Sequence, residues 1–146
     1  MNLPSYSFQT DATRSIYLFE SIGVRGIIQK AILFEITETD NSYNLSLCDL
    51  DPLSGKMNFS AISANGDTQK ILATIYQAIL HFTNNHPRCS IFFFGNSAVR
   101  NRLYRMAINH ELNEISETFE IWGFLNDSWS PFVPHKNFDA FLINRK

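Results

Sequence analysis

Three groups of side chains in this 146-residue sequence stand where their types and spacing suit chemistry. The first is basic. From Phe92 to Asn109 the chain reads FFFGNSAVRNRLYRMAIN, an apolar strand, a Gly-Asn-Ser turn and a helix start in succession. Unpaired N–H groups at a helix start attract anions, and Asn96 and Ser97 add donors beside them. Arg100, Arg102 and Arg105 follow in the first turns, at the dipole end that disfavours each cation by about 0.3–1 kcal/mol. None has an acid three or four residues away, so each needs a carboxylate from elsewhere in the fold, water or a bound anion. Arg102 and Arg105 share the polar face of the helix. Arg100 falls between two apolar stripes, where a half-buried and paired guanidinium is expected. The planar fork of arginine suits phosphate. Asn96, Ser97, Arg100, Arg102 and Arg105 are therefore a candidate anion site, against the competing explanation of a solvated helix face with one structural ion pair.

The second group is acidic. Asp49 and Asp51 end a strand, and Asp67 lies in a later loop. Clustered carboxylates can hold Mg²⁺ for phosphoryl transfer, the chemistry of a phosphohydrolase or nuclease. Asp before Pro is also ordinary turn chemistry, and Asn65-Gly66-Asp67 reads equally as a turn and a helix cap. The familiar signatures are missing: no glycine-rich phosphate loop and no G-x-S-x-G elbow. His110-Glu111 opens like a zinc-binding helix, but Glu114 stands where its second histidine belongs. The expectation is a non-catalytic protein with no metal site and no cofactor.

The third group is aromatic: 13 Phe, 5 Tyr and 2 Trp, or 14 % of the chain. Trp129 and Phe132 sit beside Pro131 and Pro134 in an otherwise polar loop, and Tyr17 lies on an early strand. Exposed rings near arginines can stack the bases of single-stranded nucleic acid. The same rings can plug the open end of a sheet or form a subunit contact. Trp129, Phe132 and Tyr17 are the candidate aromatic contacts.

The elements that must position these groups are legible from periodicity. Residues 5–10, 15–21, 27–37, 43–50 and 57–62 alternate apolar and polar residues between short turn clusters, as an antiparallel meander does. Ile71, Ile75, Ala78, Ile79 and Phe82 then repeat at helical spacing, and Asn84-Asn85-His86-Pro87 stops that helix. Residues 90–94 are apolar throughout, as in a strand covered on both faces. A second helix runs from about Ala98 to Asn113. Strands at 119–125 and 138–143 follow, with a Trp/Pro loop at 128–134 between them. Strands first and helices later predict an α+β fold, a mostly antiparallel sheet packed on one face by two helices.

Composition sets the outer bounds. A chain this long buries roughly 68–70 % of its unfolded surface, enough for one globular domain over residues 1–146. The net charge of −2 speaks against a general nucleic-acid binder. Cys48 and Cys89 form no metal spacing or disulfide framework and suit a reducing, cytoplasmic setting. No secretory signal is visible, and no apolar run approaches the ~20 residues that span a bilayer.

YNLSLCDLDP, SANGDTQKILATIYQAILHF and FFFGNSAVRNRLYRMAI together resemble a family of small bacterial proteins with no assigned function, over about Tyr6 to Glu120. Its most specific parts are Asn65-Gly66-Asp67 and Gly95-Asn96-Ser97-x-x-Arg100-x-Arg102-Leu103-Tyr104. The resemblance brings no catalytic residues. It singles out those two corners. The strand order of residues 1–85, four strands and a helix, is similar to the whirly and PUR-type single-strand binders, by element order alone. The resulting expectation is a binding module for nucleic acid or a phosphorylated ligand, with a homodimer among the expected partners. The alternatives are a protein–protein regulatory partner, such as one half of a two-gene module, and the Mg²⁺-dependent enzyme.

Overall fold

The computed structural model describes residues 4–11, 13, 15–59, 65–95 and 97–146. Over these residues the protein is α+β, with nine strands, mostly antiparallel, and three helices. It packs as two compact units. The N-terminal unit holds residues 2–35 and 45–85, the C-terminal unit residues 36–44 and 86–146. No helix among the described residues is long and apolar enough to cross a membrane.

The N-terminal unit contains β1 (Gln9–Thr10), β2 (Ile16–Gly23), most of β3 (Gly26–Ile36), the second half of β4 (Ser42–Leu50), β5 (Met57–Asn58) and α1 (Thr68–Asn85). The strands lie in the order β1-β2-β3-β4, with β5 pairing β4 at residues 49–50. Alternation sends Tyr17, Phe19 and Ser21, with their cross-strand partners Ile32, Lys30 and Ile28, to one face. Helix α1 covers that face: Phe34 stacks on Phe82 with ring centroids 4.1 Å apart. Burying such a side chain contributes about 1.5–3 kcal/mol. On the other face Ala31, Leu33 and Cys48 form a small core with Ile16 and Leu50 beside it. Leu18, Ile22 and Ile27 stay exposed.

Two strand expectations shrink here. Of residues 5–10 only Gln9 and Thr10 pair with β2, because Tyr6 meets β2 with its hydroxyl and not its backbone. Of residues 57–62 only Met57 and Asn58 form a strand, and residues 60–62 lie outside the described residues.

The C-terminal unit orders the start of β4, β6 (Ser90–Phe93), β9 (Ala140–Arg145), β7 (Phe119–Leu125) and β8 (Ser128–Pro131) side by side. The β4–β6 pair is parallel and the others are antiparallel. Helices α2 (Ala98–His110) and α3 (Leu112–Thr118) precede β7. The single helix expected over 98–113 is thus two, because Glu111 takes a non-helical φ of −111° and ψ of 20° between them. The loop expected at 128–134 is partly strand. Asn126 and Asp127 both adopt left-handed φ (52° and 60°), the two-residue turn whose twist suits a tight hairpin. Strand β9 starts two residues later than expected, since Phe138 is spent in the core as a loop residue.

The expectation that residues 90–94 are covered on both faces is also corrected. Ile91 and Phe93 are buried, but Phe92 is only half-buried and Phe94 is 61 % exposed. Only one face of this part of the sheet is packed.

Candidate functional site

The corner at Asn65-Gly66-Asp67 is a hydrogen-bonded buckle within the N-terminal unit. Asn65 is 2 % exposed. Its Oδ1 accepts from Arg25 N (2.6 Å), and its Nδ2 donates to Gly26 O (3.0 Å) and Ser21 Oγ (3.1 Å). Its carbonyl accepts from Val24 N (3.1 Å), so one residue holds the tip of the β2–β3 hairpin. Gly23 makes room: a Cβ there would lie 1.8 Å from the Asn65 carbonyl oxygen. The Asp67 carbonyl accepts the first bond of α1, from Ile71 N at 3.0 Å. Its Oδ2 accepts from Tyr6 and Ser21 hydroxyls, both at 2.6 Å. Burial, with the Asp67 hydrogen bond second, pushes the Tyr6 hydroxyl up from its ordinary range. Lys70 Nζ sits 4.3 Å over the Tyr6 ring, which stacks on Phe19.

A second buckle forms in the C-terminal unit at the corner before α2. Ser97 caps the helix, its Oγ accepting from Arg100 N at 3.2 Å. Asn101, 9 % exposed, accepts from Gly95 N (3.1 Å) and donates to Phe138 O (3.0 Å). Gly95 again makes room, since a Cβ would stand 2.2 Å from Asn101 N. Asn96 lies outside the described residues. Arg100 is half-buried and engaged within the fold, with its charge acting on Tyr104. Arg102 is exposed and Arg105 half-exposed, and neither has a carboxylate within 4.0 Å among the described residues.

The three aspartates do not converge. Asp49 pairs with Lys30, which is 2 % exposed on the α1 side of the sheet. Asp51 holds its own turn, Oδ1 accepting from Leu53 N (2.8 Å) and Ser54 N (2.9 Å). These bonds, the one from Ser54 first, pull its carboxyl below the usual range. Asp67 belongs to the buckle. Among the described residues no three His, Cys, Asp or Glu side chains group to hold a metal ion. Burial pushes the Cys89 thiol up to about 11, far from the thiolate a nucleophile needs.

The aromatic candidates separate. Tyr17 is fully buried, because alternation along β2 turns it under α1, where its hydroxyl meets His81 Nδ1 at 2.6 Å. It offers no surface to a partner, contrary to the expectation. Phe132 is half-buried against Phe138 and Phe141, on the helix-covered side of the C-terminal sheet. Trp129 alone is open, at 39 % exposure.

Register defines the surface around Trp129. Phe92, Leu142, Trp122 and Pro131 are successive cross-strand partners from β6 to β8. Ala140, Phe124 and Trp129 form the neighbouring row. The Trp129 ring packs against Phe124 (5.1 Å) and reaches Phe92 (5.7 Å). Phe92, Trp122, Phe124 and Leu142 are half-buried around the exposed Trp129, so this aromatic face stays partly open to solvent. The opposite face is closed: Phe93 meets Tyr104 of α2 edge-on at 5.5 Å and stacks on Phe141. The arginines of α2 and the open rings therefore lie on opposite sides of one sheet. The sequence hid Phe92, Trp122, Phe124 and Leu142 by making residues 90–94 look two-sided and 128–134 look like loop. The Asn126-Asp127 turn was the signal that pairs β8 with β7 and opens the face.

Comparison with curated proteins and with solved structures found no match. The chain belongs to the family of unknown function DUF6934, whose model matches residues 2–146.

Proposed function

We propose that the protein is a non-catalytic binding module and that the open aromatic face of the C-terminal unit docks a protein partner. One observation carries this reading: large rings at Phe92, Trp122, Phe124 and Trp129 stay partly in water on a sheet whose other face buries Ile91, Phe93, Phe119, Ile121, Phe141 and Ile143. A contiguous exposed apolar patch rimmed by polar residues is the usual mark of such a surface. The rim is present in Ser90, Asn144 and Glu120, partners in the next row of the same face.

Charge favours a protein over nucleic acid at this face. Its strand positions carry one acid, Glu120, and no Lys or Arg. Two cations of this unit sit on the other side, Arg145 over Phe119 and Lys136 over Phe138. Single-strand binders place cations along the backbone track beside their stacking rings. The test is affinity capture with tagged wild type and Trp129→Ser from the same cells. A chain held at stoichiometric yield by the wild type and lost by the variant is the expected result. Capture indifferent to Trp129 overturns the reading.

A second reading places a phosphorylated ligand or nucleic acid at Arg102 and Arg105, supported by their lack of carboxylate partners among the described residues. It expects oligonucleotide binding that weakens with salt and in Arg102→Ala and Arg105→Ala. Binding insensitive to both removes it.

A further inference from the structure

We infer that the occupant of the open face is the same face of a second copy of this chain, packed sheet on sheet about a two-fold axis. This rests on the reading of that face as a protein-docking surface. The first support is charge. An acidic or basic partner would set its charges against uncharged rings and leave them desolvated without a counter-ion. The face itself meets the requirement, being aromatic and uncharged across Phe92, Trp122, Phe124, Trp129 and Leu142. Two copies also bring no like charges together in its centre.

The second support is that the strand edge beside this face is blunted. In a two-residue hairpin the residues flanking the turn, Leu125 and Ser128, bond to each other. Trp129 and Pro131 then direct their backbone groups outward, and Pro131 has no N–H to give. One of the two outward donor positions of β8 is thus missing where an added strand would need it. Association at this side of the unit is left to the face. Two aligned sheets pack about 10 Å apart, with strands crossing at about 30°. The contact is isologous, so Trp129 of each copy contributes to the same interface.

Size sets the expected strength. Four strands at ~4.8 Å spacing and ~3.3 Å per residue make a face of roughly 400 Å² in plan. A standard stable interface buries about 800 Å² per partner, so the dimer should dissociate on dilution through the micromolar range.

The experiment co-expresses a tagged and an untagged copy and purifies by the tag, alongside sedimentation velocity across roughly 1–200 µM, a span that brackets a micromolar Kd. Wild type should retain the untagged copy and sediment as a concentration-dependent dimer. Trp129→Ser and, separately, Trp122→Gln should lose the untagged copy and sediment as monomers with unchanged circular dichroism. A wild type monomeric throughout, or a dimer that persists in both variants, overturns the inference. If a different chain depends on these two residues, the second copy alone is ruled out and the docking reading stands. If no chain depends on them, both fall.

Discussion

The polar corners and the open aromatic face use their residues in opposite ways. At Asn65 and Asn101 both ends of the side-chain amide are spent on the chain itself. Asn65 engages the hairpin tip through both ends of its amide, and Asn101 joins Gly95 to Phe138. Each corner also needs a glycine, Gly23 or Gly95, where a Cβ would collide with backbone. The open face is held by ring packing and leaves its rings partly in water. The two asparagines are architectural here, whereas an apolar stripe, with Arg102 and Arg105 on the other side of its sheet, is left without such a duty. A buried polar group must be satisfied within the fold, whereas apolar surface can wait for a partner.

That contrast can be broken by substitution. Asn65→Ala removes four side-chain hydrogen bonds and strands the Arg25 N–H, so urea denaturation should register a loss of about 2–4 kcal/mol. Gly95→Ala forces a Cβ against Asn101 N and should cost about 1–3 kcal/mol by the same measurement. A neutral result for either would mean the corner is loose enough to serve another purpose. Trp129→Ser should cost least, at most about 1 kcal/mol, because one contact with Phe124 and one with Phe92 are lost from an already exposed ring. A cost as large as that of Asn65→Ala would make the open face structural and erase the difference between the regions.

Much of the candidate site was legible, though not its arrangement. The corner motifs Asn65-Gly66-Asp67 and Gly95-Asn96-Ser97 stood out because Gly, Asn, Asp and Ser are the residues that end and cap elements. Their role as buckles was not legible, since the partners lie far along the chain: Ser21 for Asn65, Phe138 for Asn101. Arg100 was expected half-buried from the helical wheel, and it is half-buried and engaged. The wheel orders residues around one helix and says nothing of which side of a sheet that helix covers. Arg102 and Trp129 could therefore be joined into one surface on paper while the sheet separates them.

Local pattern by itself determined the α+β class, the long strands β2, β3, β4 and β7, and the start and stop of α1, because periods of 2 and 3.6 and the proline at 87 act within a few residues. It also determined that helix α2 begins with three arginines that have no acid within helical reach. Only the tertiary structure decided that Tyr17 is buried and that Phe132 lies on the helix-covered side of its sheet while Phe92, Trp122, Phe124 and Trp129 share the other side. An apolar run looks the same whether one or both of its sides are covered. Coverage depends on where distant helices land, and that information resides in pairings such as β6 with β9 and β7 with β8, not in any single stretch of chain.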